Sequence, residues 1–268
     1  MSDASELSGE LAVLAVELAE GAARLIRAAR GRALAVGVKS TPTDLVTDVD
    51  RAAESWLTEQ IERRRPDDSI LGEEGASRTG TSLVRWILDP IDGTVNFVLG
   101  LPQYAVSVAA ELDGQVVAGA VINVATAEMF RACVDRGAFL GERRLDGPRE
   151  VPLARAVVGT GFSYDAEVRR RQGAVVAALL PQVADIRRLG SAALDLCHVA
   201  DGRLDAYFES GLHPWDYAAG ALIAAEAGCR VSGPSAAAPS SRLVIASGAS
   251  VATELADLLG VLGADVSS

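Results

Sequence analysis

The segment VRWILDPIDGT, residues 84–94, joins a short apolar run to two closely spaced aspartates. We predict a strand over Val84–Leu88, because the run is short, apolar and rich in residues that favour strands. That strand would deliver Asp89 at its end. Pro90 then fixes φ and removes an amide donor, so we expect the chain to turn immediately after Asp89.

The predicted turn offers groups of both charge signs. Asp89 and Asp92 supply carboxylates, which bind hard divalent cations, and the amides of Gly93 and Thr94 can converge on an anion. Two carboxylates this close repel each other, so a turn without ions would have to raise a pKa or loosen. Mg²⁺ removes that conflict and typically bridges protein carboxylates to a substrate phosphate. The segment therefore predicts a site for a metal and a phosphate together.

Three further acidic clusters lie where an apolar element meets a turn, at residues 43–50, 71–75 and 213–216. An isolated acidic residue in a loop is usually a solvated charge, but several such clusters in one chain change that expectation. Glu73 and Asp216 are natural additional metal ligands from other elements. Their carboxylates, together with those of Asp89 and Asp92, would cancel the charge of two Mg²⁺ ions.

The composition is that of a globular protein without a basic face for nucleic acid. The chain has 268 residues, of which 49% are hydrophobic, enough for a packed core in one large or two modest domains. The three tryptophans are interpreted as core anchors. The formal charge is −11, whereas neutralising phosphates along a nucleic acid requires surplus lysine and arginine. No nucleic-acid partner is therefore expected.

Histidine and cysteine are scarce, with two and three residues, and none stands in a C-x-x-C or H-E-x-x-H arrangement. This disfavours a zinc site and favours reduced core cysteines in the cytoplasm. The chain opens without a basic leader, and its apolar stretch from Leu11 is broken by Glu17, Glu20 and Arg24. Such a stretch fits neither a secretory signal nor a membrane span. We therefore expect a soluble cytoplasmic protein with no membrane partner.

Hydrophobic spacing predicts two halves of different architecture. The first half combines helices over about Ser5–Arg30 and Asp48–Arg65 with a largely antiparallel sheet. Its clearest hairpin joins Tyr104–Leu112 to Gln115–Val124 through Asp113-Gly114, a pair that tolerates positive φ. The second half alternates strands and helices, over Ala156–Gly159, Ala166–Leu180, Ala192–Ala200, Asp205–Phe208, Asp216–Ala227 and Leu243–Ala246. The simplest interpretation is two subdomains that share one core.

Three separated motifs carry a family resemblance. GEE at 72–74, WILDPIDGTVNF at 86–97 and WDYAAG at 215–220 closely resemble the signatures of the inositol monophosphatase family, the Mg²⁺-dependent, lithium-sensitive phosphatases. Lys39 with residues 44–50 resembles the family's N-terminal motif. The match runs in the right order from about Lys39 to Gly228, so chance agreement is improbable.

The resemblance implies a fold and an assembly. The expected fold is α+β, a layered αβαβα sandwich of the inositol monophosphatase and fructose-1,6-bisphosphatase type. It would form a single catalytic domain over residues 1–268, with subdomains of about 1–150 and 151–268. The first subdomain would hold most of the metal ligands. Members of the family are usually dimeric, so a homodimer is expected.

The resemblance also implies a set of metal ligands. Glu73, Asp89 and the main-chain carbonyl of Ile91 would hold a first Mg²⁺ ion. Asp89, Asp92 and Asp216 would hold a second. A third and weaker ion would share Glu73, and Mn²⁺ is a possible substitute for Mg²⁺.

Further residues take roles in catalysis and substrate binding by the same resemblance. The hydroxyl of Thr94, with Asp50 near it, would orient the metal-bound water, and Glu73 belongs to the same catalytic group. The free oxygen of Asp92, Glu209 and the backbone around Ala192 would contact the sugar-like part of the substrate. Gly93 and Thr94 would bind the phosphate. Lys39 is a further candidate phosphate contact, although a loop lysine often simply faces water.

The predicted function is Mg²⁺-dependent hydrolysis of a small phosphate monoester by metal-activated water. The favoured substrate is myo-inositol 1-phosphate, which would give inositol and phosphate, because Asp92, Glu209 and the small Ala192 suit a ring of hydroxyls. Histidinol phosphate, fructose 1,6-bisphosphate and adenosine 3′,5′-bisphosphate are alternative substrates. An alternative of another class is a regulatory binding protein that keeps the phosphatase fold.

Overall fold

A computed structural model of the chain describes residues 3–30, 36–38 and 45–265. These residues form two large sheets, one two-stranded sheet and several helices. The helices are α1 Asp3–Ala29, α2 Asp48–Arg64, α3 Thr94–Leu99, α4 Ala166–Leu179, α5 Ala192–Ala200, α6 Pro214–Glu226 and α7 Ala249–Val261. The strands are β1 Val36–Val38, β2 Leu45–Thr47, β3 Ser69–Gly72, β4 Ser77–Arg78, β5 Val84–Asp92, β6 Ala105–Leu112, β7 Gln115–Asn123, β8 Met129–Cys133, β9 Gly137–Leu140, β10 Arg143–Arg144, β11 Val157–Thr160, β12 Asp185–Arg187, β13 Ala206–Glu209, β14 Arg230–Ser232 and β15 Val244–Ser247.

The elements stack in five layers. Helices α1 and α2 pack on one face of an eight-stranded sheet of order β10-β9-β8-β7-β6-β5-β3-β4, which is antiparallel except where β3 runs parallel to β5. Helices α5 and α6 lie on its other face. A five-stranded sheet of order β12-β11-β13-β15-β14 follows, and α4 and α7 cover its far side. The predicted αβαβα sandwich is confirmed.

Helix α1 shows how the pattern of the sequence builds these layers. Its buried residues Leu11, Ala15, Leu18, Ala22 and Ile26 recur at the three- and four-residue spacing that puts them on one helical face. That face packs on β6 and β7. The hairpin between these two strands was predicted from Asp113-Gly114, and both residues adopt positive φ, of 50° and 80°. The predicted first helix and hairpin are thus confirmed.

The segment VRWILDPIDGT, residues 84–94, differs from its prediction. Strand β5 continues beyond Leu88 to Asp92, and its pairing with β6 shifts register between Asp89 and Asp92. Pro90 lies inside this irregular stretch, where its missing amide hydrogen would interrupt a regular ladder. The chain therefore bulges at the predicted turn, and it turns only at Gly93, whose φ is 96°. Both aspartates sit on the strand rather than after it.

The two large sheets, the cysteines and the helices bear on three further expectations, on domain organisation, disulfides and membrane spans. The eight-stranded sheet is built from residues before 145, and the five-stranded sheet is built from residues after 156. The organisation as one catalytic domain with two subdomains stays a prediction. The three cysteines are buried and form no disulfide. Among the described helices, none combines the length and the apolar character that crossing a membrane requires.

Candidate active site

Parallel pairing of β3 with β5 brings two acidic segments side by side. Gly72 lies opposite Leu88 in the register, and the backbone N–H of Glu73 donates to the Leu88 carbonyl at 3.2 Å. Glu73 thus leaves the end of β3 beside Asp89 on β5. The two side chains lie close enough to share a hydrogen bond. Glu73, from the acidic cluster at residues 71–75, and Asp89, from the segment at residues 84–94, therefore belong to one site.

The N-terminus of α6 supplies a third carboxylate. Pro214 occupies the start of the helix, where a missing amide hydrogen costs nothing. The backbone N–H of His213 donates to Asp216 Oδ2 at 2.6 Å, and this contact fixes the aspartate in the first turn. Asp216 lies at the positive end of the helix dipole, which favours a carboxylate there.

Asp89, Asp92 and Asp216 converge on one point. One carboxylate oxygen from each lies within 4.8 Å of the other two. Asp89 Oδ1 is buried and accepts no hydrogen bond from the residues that the structure describes. A buried carboxylate oxygen without a donor is costly, and a hard divalent cation satisfies such an oxygen directly. The donor set, composed of carboxylate oxygens alone, therefore fits Mg²⁺ or Mn²⁺.

The electrostatics of this cluster agree with that fit. Burial raises the pKa of Asp89 well above its usual range, and the negative charges of Glu73, Asp92 and Asp216 raise it further. Burial also raises the pKa of Asp216 well above its usual value, with Asp92 and Glu73 adding to the effect. Without a cation, the protein thus holds several carboxylates that resist ionisation together.

Asp92 is held more firmly than its neighbours. Its Oδ2 accepts from the Ser191 hydroxyl at 2.6 Å and from the backbone N–H of Ala193 at 2.7 Å. Burial raises the pKa of Asp92 to about 6, and these two hydrogen bonds oppose the rise. Ser191 is also the N-cap of α5, so the start of α5 and the end of β5 are joined at this carboxylate. Its other oxygen, Oδ1, is not used in these bonds.

Thr94 and Asp50 form a second arrangement beside the cluster. Thr94 Oγ1 lies 2.9 Å from Asp50 Oδ1 and 3.0 Å from the carbonyl oxygen of Ile91. Asp50 is fully buried near the start of α2, where its Oδ2 also accepts from the Thr47 backbone N–H at 3.0 Å. Burial raises the pKa of Asp50, and the hydrogen bonds from Thr47 and Thr94 oppose the rise.

Gly93 sets the direction of the chain between these groups. At its φ of 96°, a Cβ atom would lie 2.9 Å from the Gln103 carbonyl oxygen and 3.0 Å from the Gly190 carbonyl oxygen. Only glycine adopts this conformation cheaply and leaves room for both carbonyls. The Asn96 amide then donates to the carbonyls of Gln103 and Leu189, at 2.7 and 2.8 Å. The turn after β5 is therefore tied to the loop that precedes α5.

A cavity of about 520 Å³ opens beside the carboxylates. Six of the predicted site residues line it: Glu73, Asp92, Gly93, Ala192, Glu209 and Asp216. The others, Asp50, Asp89, Ile91 and Thr94, are buried close to its wall rather than on it. Lys39 and Asp44 lie outside the described residues.

Glu209 projects into the cavity from the end of β13. The Tyr207 hydroxyl donates to Glu209 Oε2. Burial raises the pKa of Glu209 to about 7, although Tyr207 and the Arg188 guanidinium act against the rise. A Cβ atom at Gly161 would lie 2.0 Å from Glu209 Oε2, so any side chain at position 161 would displace the carboxylate.

Several residues of the cavity wall are not predicted from the sequence. Arg188 and Asp195 both line it, and Asp195 is 1% exposed with no hydrogen-bond donor to its Oδ1 among the described residues. Trp215 packs against the core as expected, but it is only partly buried, because it also lies on the cavity wall, where it stacks on His213 at a ring-centre distance of 4.8 Å. Ser191 directly before an apolar helix had the pattern of an N-cap and could have been found.

The raised pKa values predict how the stability of the metal-free protein depends on pH. Asp92 and Glu209 bind protons more tightly in the folded state, where their pKa values are about 6 and about 7, than in the unfolded state. The stability that these two groups contribute to the folded state is therefore fully present below their ordinary pKa values, and it is lost as the pH rises through about 6 and about 7. Urea unfolding in a chelator should show the free energy of unfolding falling between about pH 4, near the ordinary pKa values of these carboxyls, and about pH 7. A free energy that rises across this range would contradict the prediction, and saturating Mg²⁺ should weaken the fall.

A family model, named proteins and solved structures were all found to be similar to this chain. A model of the inositol monophosphatase family matches residues 8–262. An inositol-1-monophosphatase of Mycobacterium leprae is 46% identical over 267 residues, which cover 92% of each chain. A protein of Pasteurella multocida named Nus factor SuhB is 43% identical and covers 71% of this chain and 72% of its own. Among solved structures, Mycobacterium tuberculosis SuhB superposes with a TM-score of 0.83 at 42% identity, covering 96% of this chain and 98% of that one.

Proposed function

Because the chain belongs to the inositol monophosphatase family, and is therefore a phosphoric monoester hydrolase, we propose that it hydrolyses myo-inositol 1-phosphate in a Mg²⁺-dependent reaction. The observation that carries the proposal is the convergence of Asp89, Asp92 and Asp216 within 4.8 Å beside a cavity of about 520 Å³. A cavity of this size admits a sugar-sized phosphate ester. Asp92, Asp216 and Glu209 all line this cavity.

The proposed metal ligands are those of the resemblance. Glu73, Asp89 and the Ile91 carbonyl would hold one Mg²⁺ ion, and Asp89 with Asp92 and Asp216 would hold another. When bound, such ions lower the pKa of water and neutralise charge on a phosphoryl group. As part of the same proposal, Glu73 would share a third, weaker ion, Mn²⁺ would substitute for Mg²⁺, lithium would inhibit, and the working form would be a homodimer.

Thr94 and Asp50 are proposed to orient the attacking water. The Thr94 hydroxyl donates to Asp50 Oδ1, at 2.9 Å, so its lone pairs remain available to accept from a water molecule. Asp50 is fully buried and accepts further hydrogen bonds from Thr47, which hold its carboxylate in place beside Thr94. In this proposal, Thr94 would take a proton from the water as its own proton passes to Asp50 Oδ1, and no covalent intermediate on the protein would be needed.

The substrate end of the site is proposed to recognise hydroxyl groups. Asp92 Oδ1 and the Glu209 carboxylate are acceptors, which suit the O–H donors of an inositol ring. Ala192 is small and leaves space for that ring, and the backbone at Gly93 and Thr94 would bind the phosphate. Lys39 stays a predicted phosphate contact.

A panel of phosphate esters tests the substrate. We expect the highest kcat/KM for myo-inositol 1-phosphate at saturating Mg²⁺, ahead of histidinol phosphate, fructose 1,6-bisphosphate and adenosine 3′,5′-bisphosphate. The physical reason is that Asp92 and Glu209 can pair with several hydroxyls, and unpaired polar groups in a site strongly penalise substrates that lack partners. A clear preference for histidinol phosphate would overturn the inositol assignment while leaving the metal site standing.

A second candidate function is a regulatory binding role. The name of the Pasteurella multocida relative, Nus factor SuhB, favours it. The carboxylate cluster supports catalytic competence, so the discriminating measurement is turnover. A kcat below about 1 s⁻¹ on every ester, the lower end for ordinary enzymes, together with a stable complex with RNA polymerase factors, would favour the binding role.

A further inference from the structure

Helix α2 carries two buried carboxylates one turn apart. Asp50 is fully buried and Glu54 is 5% exposed, and residues four positions apart lie on the same helical face. Asp50 accepts a hydrogen bond from the Thr94 hydroxyl beside the carboxylate cluster. Glu54 has no place in the proposed reaction, yet it projects from the same face of the helix. A buried carboxylate needs strong partners, so its contacts indicate what it does.

The carboxylate of Glu54 fills the turn that follows β3. Its Oε2 accepts from the backbone N–H of Glu74 at 2.8 Å, and its Oε1 accepts from the backbone N–H of Ala76 at 2.8 Å. The Gly72 N–H donates to the Ala76 carbonyl at 2.7 Å and closes the same turn. Each oxygen of Glu54 is thus paired with a different amide of one turn.

The turn is packed tightly around this carboxylate. A Cβ atom at Gly72 would lie 2.3 Å from Glu54 Oε2 and 2.8 Å from its Cδ. Glycine at position 72 therefore permits the close approach of backbone and carboxylate. Glu73 sits between Gly72, which touches Glu54, and Glu74, which donates to it. Its own N–H donates to Leu88 on β5, so the backbone of Glu73 is fixed from two directions.

We propose that Glu54 is a positioning residue that holds Glu73 beside Asp89 for metal binding. The inference rests on the proposed function, in which Glu73 is a metal ligand. Hydrogen bonds from N–H groups to an ionised carboxylate are stronger than those between neutral groups, so a glutamate holds the turn better than an amide side chain could. Through Asp50 and Glu54, α2 would set both the Thr94 hydroxyl and the Glu73 carboxylate.

Glu54→Gln tests the proposal with little change in shape. The glutamine amide group carries hydrogens, so it would face a backbone N–H of the turn with a donor instead of an acceptor. We expect the dissociation constant of Mn²⁺ to rise about 10- to 100-fold, the usual effect of removing a group that orients a metal ligand. The kcat at saturating Mg²⁺ should change far less. Mn²⁺ binding is measured without substrate, from the electron paramagnetic resonance signal of the free ion.

Glu59→Gln is the matched control, because Glu59 is exposed on the same helix and loses the same charge. It should bind Mn²⁺ like the wild type. Glu54→Asp keeps the charge but shortens the reach, and it should also weaken Mn²⁺ binding, which keeps the test decisive if Glu54→Gln does not fold. A purely structural role would lower the free energy of unfolding and leave the Mn²⁺ dissociation constant of a folded variant unchanged.

The possible results distinguish a failure of the Glu54 positioning role from a failure of the proposed function. Wild-type Mn²⁺ affinity in a folded Glu54→Gln or Glu54→Asp variant would overturn the positioning role alone. An equal loss of affinity in Glu59→Gln would overturn it too, because the effect would then belong to net charge. A wild-type protein that binds no Mn²⁺ would overturn the proposed function and the inference together.

Discussion

Asp89→Asn is expected to abolish Mg²⁺-dependent phosphatase activity, with kcat/KM falling about 1,000-fold or more. Asp89 is the one side chain proposed to bind both principal metal ions, and its Oδ1 is buried without a donor among the described residues. The asparagine has nearly the same shape but no negative charge to offset two cations. Activity should be assayed at saturating Mg²⁺, so that a change of affinity alone is not mistaken for a change of rate.

The same substitution should stabilise the metal-free protein. Burial and three neighbouring acidic groups raise the pKa of Asp89, so its ionised form is unfavourable in the folded state near neutral pH. Asparagine removes that charge. Asp113→Asn is the matched control, because Asp113 lies exposed in the β6–β7 turn with a φ of 50°, which asparagine tolerates. An Asp89→Asn variant that keeps substantial activity would refute the metal assignment.

Thr94→Val is expected to lower kcat about 100-fold while leaving Mn²⁺ binding largely intact. Valine keeps the branched shape but removes the hydroxyl that is proposed to join Asp50 to the attacking water. It also removes a hydrogen bond that lowers the pKa of Asp50, so the pKa of that carboxyl should rise further, and at acidic pH more of it should already be protonated and unable to accept a proton. The loss should be smaller than for Asp89→Asn, because the metal ligands remain in place.

Single-turnover and steady-state kinetics at saturating Mg²⁺ measure the effect of Thr94→Val. Thr58→Val is a matched control, because the Thr58 hydroxyl on α2 is buried and makes no hydrogen bond within the described part of the chain. It should retain wild-type kcat. Equal kcat values for Thr94→Val and the wild type would remove Thr94 and Asp50 from the mechanism.

The parts of the fold that local sequence determines were predicted well. Helix α1 follows from apolar residues at helical spacing, and the β6–β7 hairpin follows from Asp113-Gly114. Strand β3 was missed because four residues, Ser69–Gly72, are too few to show a periodic pattern. Helix α7 was also missed, although Val251, Leu255 and Leu259 recur at intervals of four and are buried.

The site was predictable in composition but not in geometry. The motifs identified Asp89, Asp92 and Asp216, yet only the bulged pairing of β5 with β6 decides that both aspartates of β5 remain on the strand. Contacts such as that of Glu54 with the turn after β3 depend on the packing of α2, which no local pattern specifies. Such contacts between distant segments set the position of a ligand even where its identity is clear from the sequence.

Titration of metal-free protein with Mn²⁺, compared between the wild type and Asp89→Asn, tests whether the carboxylates around Asp89 bind divalent metal ions. We expect the wild type to bind two to three ions, and Asp89→Asn to lose the two principal ones while keeping its fold. Wild-type protein that leaves all added Mn²⁺ free at millimolar concentration, or a folded Asp89→Asn variant with the full complement of ions, would contradict it.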